Sequence, residues 1–190
     1  KIDHRFEKRP IVAVVVDHSQ SMSLPAGPFE TEESVAAVAR AAGFAAADGA
    51  VDAETRKALN QLTRTRLAHT VLGAARDSFA ATVAERFDLK FHSAGEELKP
   101  IAVDPSSYQM PDPPSPGEKK AALGAAITEV IEQAAGRQIA AIVLLTDGQN
   151  TGTVTLAQAA LAASQVGAPV FPVPVGSAAR LRDVAIVDVF

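Results

Sequence analysis

The stretch IVAVVVDHSQSM, residues 11–22, is where the fold of this chain can be read first. Its first six residues are apolar and mostly β-branched, the composition of a short strand buried on both faces. The run ends on Asp17, and Ser19 and Ser21 follow at alternate positions. An acid and two hydroxyls at i, i+2 and i+4 are hard oxygen donors, and an irregular loop can turn such alternate side chains toward one point. A doubly buried strand with a donor loop at its carboxyl end predicts a parallel α/β sheet with a crevice beyond the strand ends.

The pattern repeats outward from that stretch. Residues 139–145 (IAAIVLL), 168–175 (APVFPVPV) and 185–189 (AIVDV) read as further strands, and Pro172 and Pro174 confine the second of these to a sheet flank. Residues 87–91 (FDLKF) alternate, predicting a more exposed strand or hairpin that ends near 101–103. Between them, residues 66–86 carry Leu67, Val71, Ala74, Ala75, Phe79 and Val83 along one helical stripe. Ser115-Pro116-Gly117-Glu118 has the form of a capping box, predicting a helix from there to about Ala135. Residues 155–166 form a third, alanine-rich helix closed by Gly167.

Strand, helix, strand with crossovers of this length predicts an α/β fold. The expected form is a doubly wound, mainly parallel sheet with helices on both faces, a three-layer sandwich built as one domain over residues 1–190. Residues 24–62 interrupt the rhythm with two helical patterns, 31–47 and 52–62, and read as a helical insert above the end of the first strand. Residues 104–116, rich in proline and serine, read as a surface loop.

Composition narrows the function classes. The chain has 190 residues, 47% hydrophobic and 21% charged, enough for one compact domain with its own core. A net charge of −4 without a basic stripe or interleaved aromatics argues against nucleic acid as a partner. The absence of cysteine excludes disulfides, thiol catalysis and thiolate metal ligands. No run approaches the roughly 18 apolar residues of a membrane span, and no signal peptide is visible. The chain opens on Lys1 rather than methionine, so a longer parent chain is expected.

The second donor element is Thr146-Asp147-Gly148, leaving the carboxyl end of the 139–145 strand. Alone, Asp-Gly is a common turn dipeptide. If the two strands are neighbours, Asp17 and Asp147 converge, and two carboxylates flanked by hydroxyls suit a small hard dication such as Mg²⁺. His18, lying between donors, is expected to point away, since a hard ion prefers oxygen to imidazole. His69 falls within a helix, and His4 and His92 have no assignable partner.

IVAVVVDHSQSM together with IVLLTDGQNTG (142–152) resembles the von Willebrand factor type A domain and its metal-ion-dependent adhesion site. ALGAAI (122–127) resembles the start of that family's central helix, and GAPVFPVPVGS (167–177) a later strand, so the resemblance spans residues 11 to about 176. It implies a divalent cation, Mg²⁺ or else Mn²⁺ or Ca²⁺, held by Asp17, Ser19, Ser21 and Asp147. An acidic side chain of a partner protein would complete the coordination. Leu123-Gly124 match the family's second loop, but its threonine position is Ala121, preceded by Lys120. Water in place of that hydroxyl would weaken the cation, whereas Lys120 swinging inward would displace it.

The overall arrangement is most similar to bacterial members tethered to membranes. That implies an extracytoplasmic or membrane-anchored setting, reached through segments outside this chain. The expected function is a non-enzymatic adhesion or scaffolding module. The alternatives are a Mg²⁺-dependent phosphoryl-transfer hydrolase using Asp17, or a scaffold whose site has decayed. Against the hydrolase, no glycine-rich phosphate loop is present and no second acid stands two residues after Asp17.

Overall fold

The computed structural model describes residues 8–45, 51–113 and 120–177. The strand predicted at 185–189, the capping sequence at 115–118 and His4 lie outside these residues. Among the described residues the sheet has five strands: β1 (Ile11–Asp17), β2 (Asp88–Ala94), β3 (Leu98–Pro100), β4 (Ile139–Thr146) and β5 (Val170–Pro174). Their order is β3-β2-β1-β4-β5. All pairs are parallel except β2 with β3. The fold is therefore α/β with a mainly parallel sheet, and the two donor-bearing strands, β1 and β4, are direct neighbours.

Every residue of β1 is buried, as its unbroken apolar run requires at the centre of a covered sheet. Ile11 pairs with Ile139 but Val12 with Ala141, so Ala140 is the extra residue of a bulge. Beyond it the alternation is regular. Ala13 and Val15 join Ile142 and Leu144 in one core, while Val14 and Val16 join Leu145 in the other.

Helices cover both faces. The first core is closed by α5 (Leu123–Gln133) and α6 (Leu156–Gln165), through Leu123, Ile127, Ala159 and Ala163. The second is closed by α1 (Glu32–Ala41), α2 (Ala53–Gln61) and α3 (Arg64–Ala74), through Val35, Leu59, Leu67 and Leu72. Capping fixes several of these starts. Thr31 and Ser34 cap α1 reciprocally, Asp52 caps α2, and Thr155 with Gln158 caps α6. Among the described residues β5 pairs only with β4 and leaves Phe171 and Val173 exposed, the flank position its two prolines predict.

Two helix predictions need correction. The single helix expected over 66–86 begins at Arg64 and divides at a π-turn, Arg76–Ala80, before α4 (Ala81–Arg86). There the Ala80 N–H donates to the Ala75 carbonyl at 3.2 Å, and the extra residue rotates the stripe so that Ala80 is buried. The helix expected from Ser115 instead starts at Leu123, with no side-chain cap. Residues 120–122 are non-helical because their backbone bonds elsewhere: the Ala122 N–H donates to the Gly95 carbonyl, and the Ala121 carbonyl accepts from Thr151 and Gly152.

The insert leaves and returns at the carboxyl end of β1. Its neck is closed by the Ala26 N–H on the Leu62 carbonyl (2.7 Å) and the Arg64 N–H on the Leu24 carbonyl (3.0 Å). Ala26 and Phe29 are buried in the second core and anchor this segment, while Pro25 and Pro28 are exposed. Among the described residues, no helix is long and apolar enough to cross a membrane.

His92 in β2 is buried, and among the described residues its Nδ1 has no hydrogen-bond partner. Burial, then the nearby Lys90 ammonium, hold its pKa below the usual imidazole range, against the opposing pull of Glu129. The unfolded chain thus takes up a proton that the folded chain resists. Stability from this group is complete above about pH 6.5 and is lost as pH falls below it. The urea midpoint is expected to fall on acidification, and His92→Leu to flatten that slope by up to about 1.4 kcal/mol per pH unit. An unchanged slope in the variant refutes this assignment.

Candidate functional site

Three loops meet at the carboxyl ends of β2, β1 and β4, and backbone bonds lace them together. The His18 N–H donates to the Ala94 carbonyl at 2.7 Å, and the Ala122 N–H to the adjacent Gly95 carbonyl at 3.0 Å. The end of β2 thus holds both the first loop and the segment before α5. The third loop is tied to the second by Thr151, whose N–H donates to the Ala121 carbonyl and whose hydroxyl accepts the Ala121 N–H, each at 2.9 Å. Asn150 accepts the Gly124 N–H at 3.4 Å and donates to the Val154 carbonyl at 2.9 Å.

Asp17 is fully buried at the centre of this junction. Its Oδ1 accepts the Ser19 N–H at 2.9 Å, and its Oδ2 accepts the Thr146 hydroxyl at 2.7 Å. Thr146 Oγ1 in turn accepts the Gly148 N–H at 3.0 Å, with Gly148 at φ +85° in the turn. Burial raises the Asp17 pKa above the usual carboxylate range; the Ser19 and Thr146 hydrogen bonds oppose that rise, and the charge of Asp147 adds to it. Ser19 Oγ and Ser21 Oγ lie 3.1 Å apart, within hydrogen-bond distance. The predicted group Asp17, Ser19, Ser21 and Asp147 therefore gathers at neighbouring strand ends.

Asp147 is already engaged. Arg64 Nη1, from the first turn of α3, lies 2.6 Å from Asp147 Oδ2 and 3.4 Å from the Ser21 carbonyl. Both side chains are largely buried, 13% and 4% exposed. Gly176, at φ +110°, lies against this arginine: a Cβ there would sit 3.1 Å from Arg64 Nε. Sequence reasoning offered Lys120 as the competing cation. Lys120 is exposed, and the cation that reaches Asp147 is Arg64, carried there by the neck of the insert.

Ala121 is buried and brings no side-chain oxygen to the site. The oxygens that could face a cation are those of Asp17, Ser19, Ser21 and Asp147. Among the described residues no cluster of three histidine, aspartate or glutamate side chains forms.

His18 makes a contact the sequence did not reveal. His18 Nε2 and His69 Nε2 lie 2.9 Å apart, with both rings buried. The ring centroids are 5.2 Å apart and the planes differ by 18°. The excess over the nitrogen separation is about two ring radii, so the rings meet head to head, the geometry of an N–H···N bond. His69 Nδ1 lies 3.1 Å from the Pro111 carbonyl, where only an N–H can bond. With that proton on Nδ1, neutral His69 accepts at Nε2 and His18 donates. Burial lowers the His69 pKa, against the opposing effects of Pro111 and Asp112, and so favours this neutral tautomer. The chain joins the first loop, α3 and the loop around Pro111.

Arg64, Asn150, Thr151 and the His18–His69 pair are the residues that sequence reasoning left out of the site, and Thr146, part of the second donor element, was not assigned as a ligand. Thr146 and Asn150 stood in the TDGQNTG motif beside a candidate ligand; Arg64 carried no local signal at all. Comparison with protein-family models finds no match for this chain, and comparison with curated proteins finds none.

Two substitutions check the geometry. Arg64→Met strands the Asp147 charge and is expected to destabilise the chain by about 3 kcal/mol, most of it regained in Arg64→Met with Asp147→Leu. Equal losses for the single and double variants in urea denaturation would show that the pair is not coupled. A Cβ at Gly124 would come 2.3 Å from the Val154 carbonyl. Gly124→Ala is therefore expected to cost about 1–3 kcal/mol by forcing α5 away from the third loop, whereas Gly73→Ala, which meets nothing within 4 Å, serves as the control.

Proposed function

We propose that this chain is a protein-interaction module of the von Willebrand factor type A kind, with a weak divalent-cation site that an acidic side chain of a partner completes. The observation that carries this reading is the gathering of Asp17, Ser19, Ser21 and Asp147 at the ends of two adjacent strands, the two serine hydroxyls 3.1 Å apart. Hard oxygens of this kind fit Mg²⁺. A buried carboxylate whose pKa is raised by desolvation is one whose ionised form a nearby cation would favour.

The set is also sparse. Two carboxylates and two hydroxyls leave a six-coordinate ion short, and Ala121 offers no side-chain oxygen. Its carbonyl already accepts two N–H groups. Water and a partner carboxylate would fill the remaining positions, so cation and partner would each strengthen the other's binding. Tethering to a membrane, on its outer side, through segments outside this chain belongs to the same proposal.

One observation favours a second reading, a scaffold whose site has decayed. Arg64 holds Asp147 at 2.6 Å and supplies the positive charge internally. Calorimetry with MgCl₂ separates the two. The native chain is expected to bind at about millimolar concentration, Ala121→Thr and Arg64→Gln to bind more tightly, and Asp17→Ala not to bind. Micromolar binding by the native chain, or no gain from either substitution, overturns the weak-site account. No binding by any form establishes the scaffold.

A further inference from the structure

A groove of about 720 Å³ lies at the opposite end of the sheet from Asp17, along the outer edge of β2. β3 covers that edge only at His92–Ala94, and the Ile101 N–H extends the cover to the Phe91 carbonyl at 2.8 Å. Among the described residues, the edge is open below Phe91. The Asp88 N–H bonds inward to the Pro10 carbonyl at 2.9 Å, so strand alternation turns the N–H and C=O of Leu89 outward, in step with Phe91. Among the described residues no backbone group answers Leu89 from outside.

The lining shows that this is a trough along an edge rather than a pit in one face. Leu89 and Phe91 come from the face packed on the second core, and Lys90 and His92 from the opposite face. The far wall includes Val103 and Tyr108. Its charge is one-sided: Lys8, Arg9, Lys90 and Arg137 surround a single carboxylate, Asp88. Arg137 and Lys90, at 2.9 and 3.3 Å, hold Asp88 below the usual carboxylate range despite its partial burial.

An open strand edge is a template for another strand, and charge decides which one. A second copy of this edge would set cation against cation. We propose that the β2 edge is a docking surface for an extended acidic peptide of a partner protein. The peptide adds as a strand beside Leu89 and sets its carboxylates against Lys8, Arg9 and Lys90. This surface is separate from the candidate cation site and does not depend on it.

The test uses the chain in EDTA, which removes any contribution from a divalent ion, and a short fluorescein-labelled peptide of alternating glutamate and valine. Anisotropy should show saturable binding, and Leu89 amide exchange should slow in the complex. Methylating alternate peptide nitrogens keeps charge and side chains but removes strand pairing, and should weaken binding at least about tenfold. Lys90→Glu should weaken it about as much, and the corresponding lysine–valine peptide should not bind. Absence of binding overturns the proposal. Equal affinity for the methylated peptide reduces the groove to a nonspecific cationic surface, and a dimer in sedimentation whose interface protects Leu89 assigns the edge to a second copy; either result also overturns it.

Discussion

The carboxylate of Asp17 is the group on which the upper end of the molecule depends. It is an acid placed where the strand is fully covered, and a buried carboxylate is tolerated only when its oxygens are answered. One oxygen is answered by the Ser19 backbone, which bends the chain sharply out of β1. The other is answered by the Thr146 hydroxyl on β4. The same two bonds that satisfy the charge therefore fix the direction of the first loop and lock two strand ends together. Removing the carboxylate would free the Ser19 N–H and the Thr146 hydroxyl at once, so the acid is structural whatever else it binds.

Asp147 obeys the same requirement by a different route. Its charge is met by a guanidinium from outside the sheet, and the neck of the helical insert determines where that guanidinium stands. At 4 Å two unit charges near a protein surface interact by about 4 kcal/mol, but desolvating both offsets much of that gain. Among the described residues the buried Arg64 Nε also has no partner, a further unfavourable contribution. The pair is thus better understood as a specific latch than as a large source of stability. It joins the insert to the third loop.

The architecture was largely legible because it follows from local patterns. A β-branched run buried on both faces, alternating polarity in 87–91 and prolines in the fifth strand each carry their position in the sheet within a few residues. What was misread depended on groups far apart in sequence. The start of α5 was placed at a good capping sequence, but the Gly95 carbonyl and Thr151 hold residues 121–122 out of the helix, and neither is local to it. The π-turn that splits α3 from α4 leaves no periodicity signal, because one extra residue rotates a stripe without erasing it. Of the candidate site, the four oxygen-bearing residues could be named from two motifs. Arg64 could not, since it lies 83 residues from Asp147 and belongs to a helix whose sequence gives no hint of what its first turn faces.

If the proposed cation reading holds, this last residue changes how the site would work. A dication drawing on Asp147 competes with a guanidinium already bonded to it, and both positive charges cannot share that oxygen without repulsion. Binding would therefore displace Arg64 from Asp147 or confine the ion to the Asp17 and serine side. Displacement is not local. Arg64 lies beside Gly176, follows a neck whose backbone bonds close the insert, and begins the helix that carries His69 to His18. An ion that loosened the Arg64 latch would favour a different setting of the insert, and by linkage whatever stabilised that setting would favour the ion to the same degree. On that reading, the lack of a side-chain oxygen at Ala121 and the presence of Arg64 would act in the same direction, weakening the resting site. A partner carboxylate would then have two effects: it would add a ligand, and it would add a negative charge that lets the ion and Arg64 coexist. Cooperativity between cation and partner would in that case come from relieving repulsion inside the site as much as from filling an empty position.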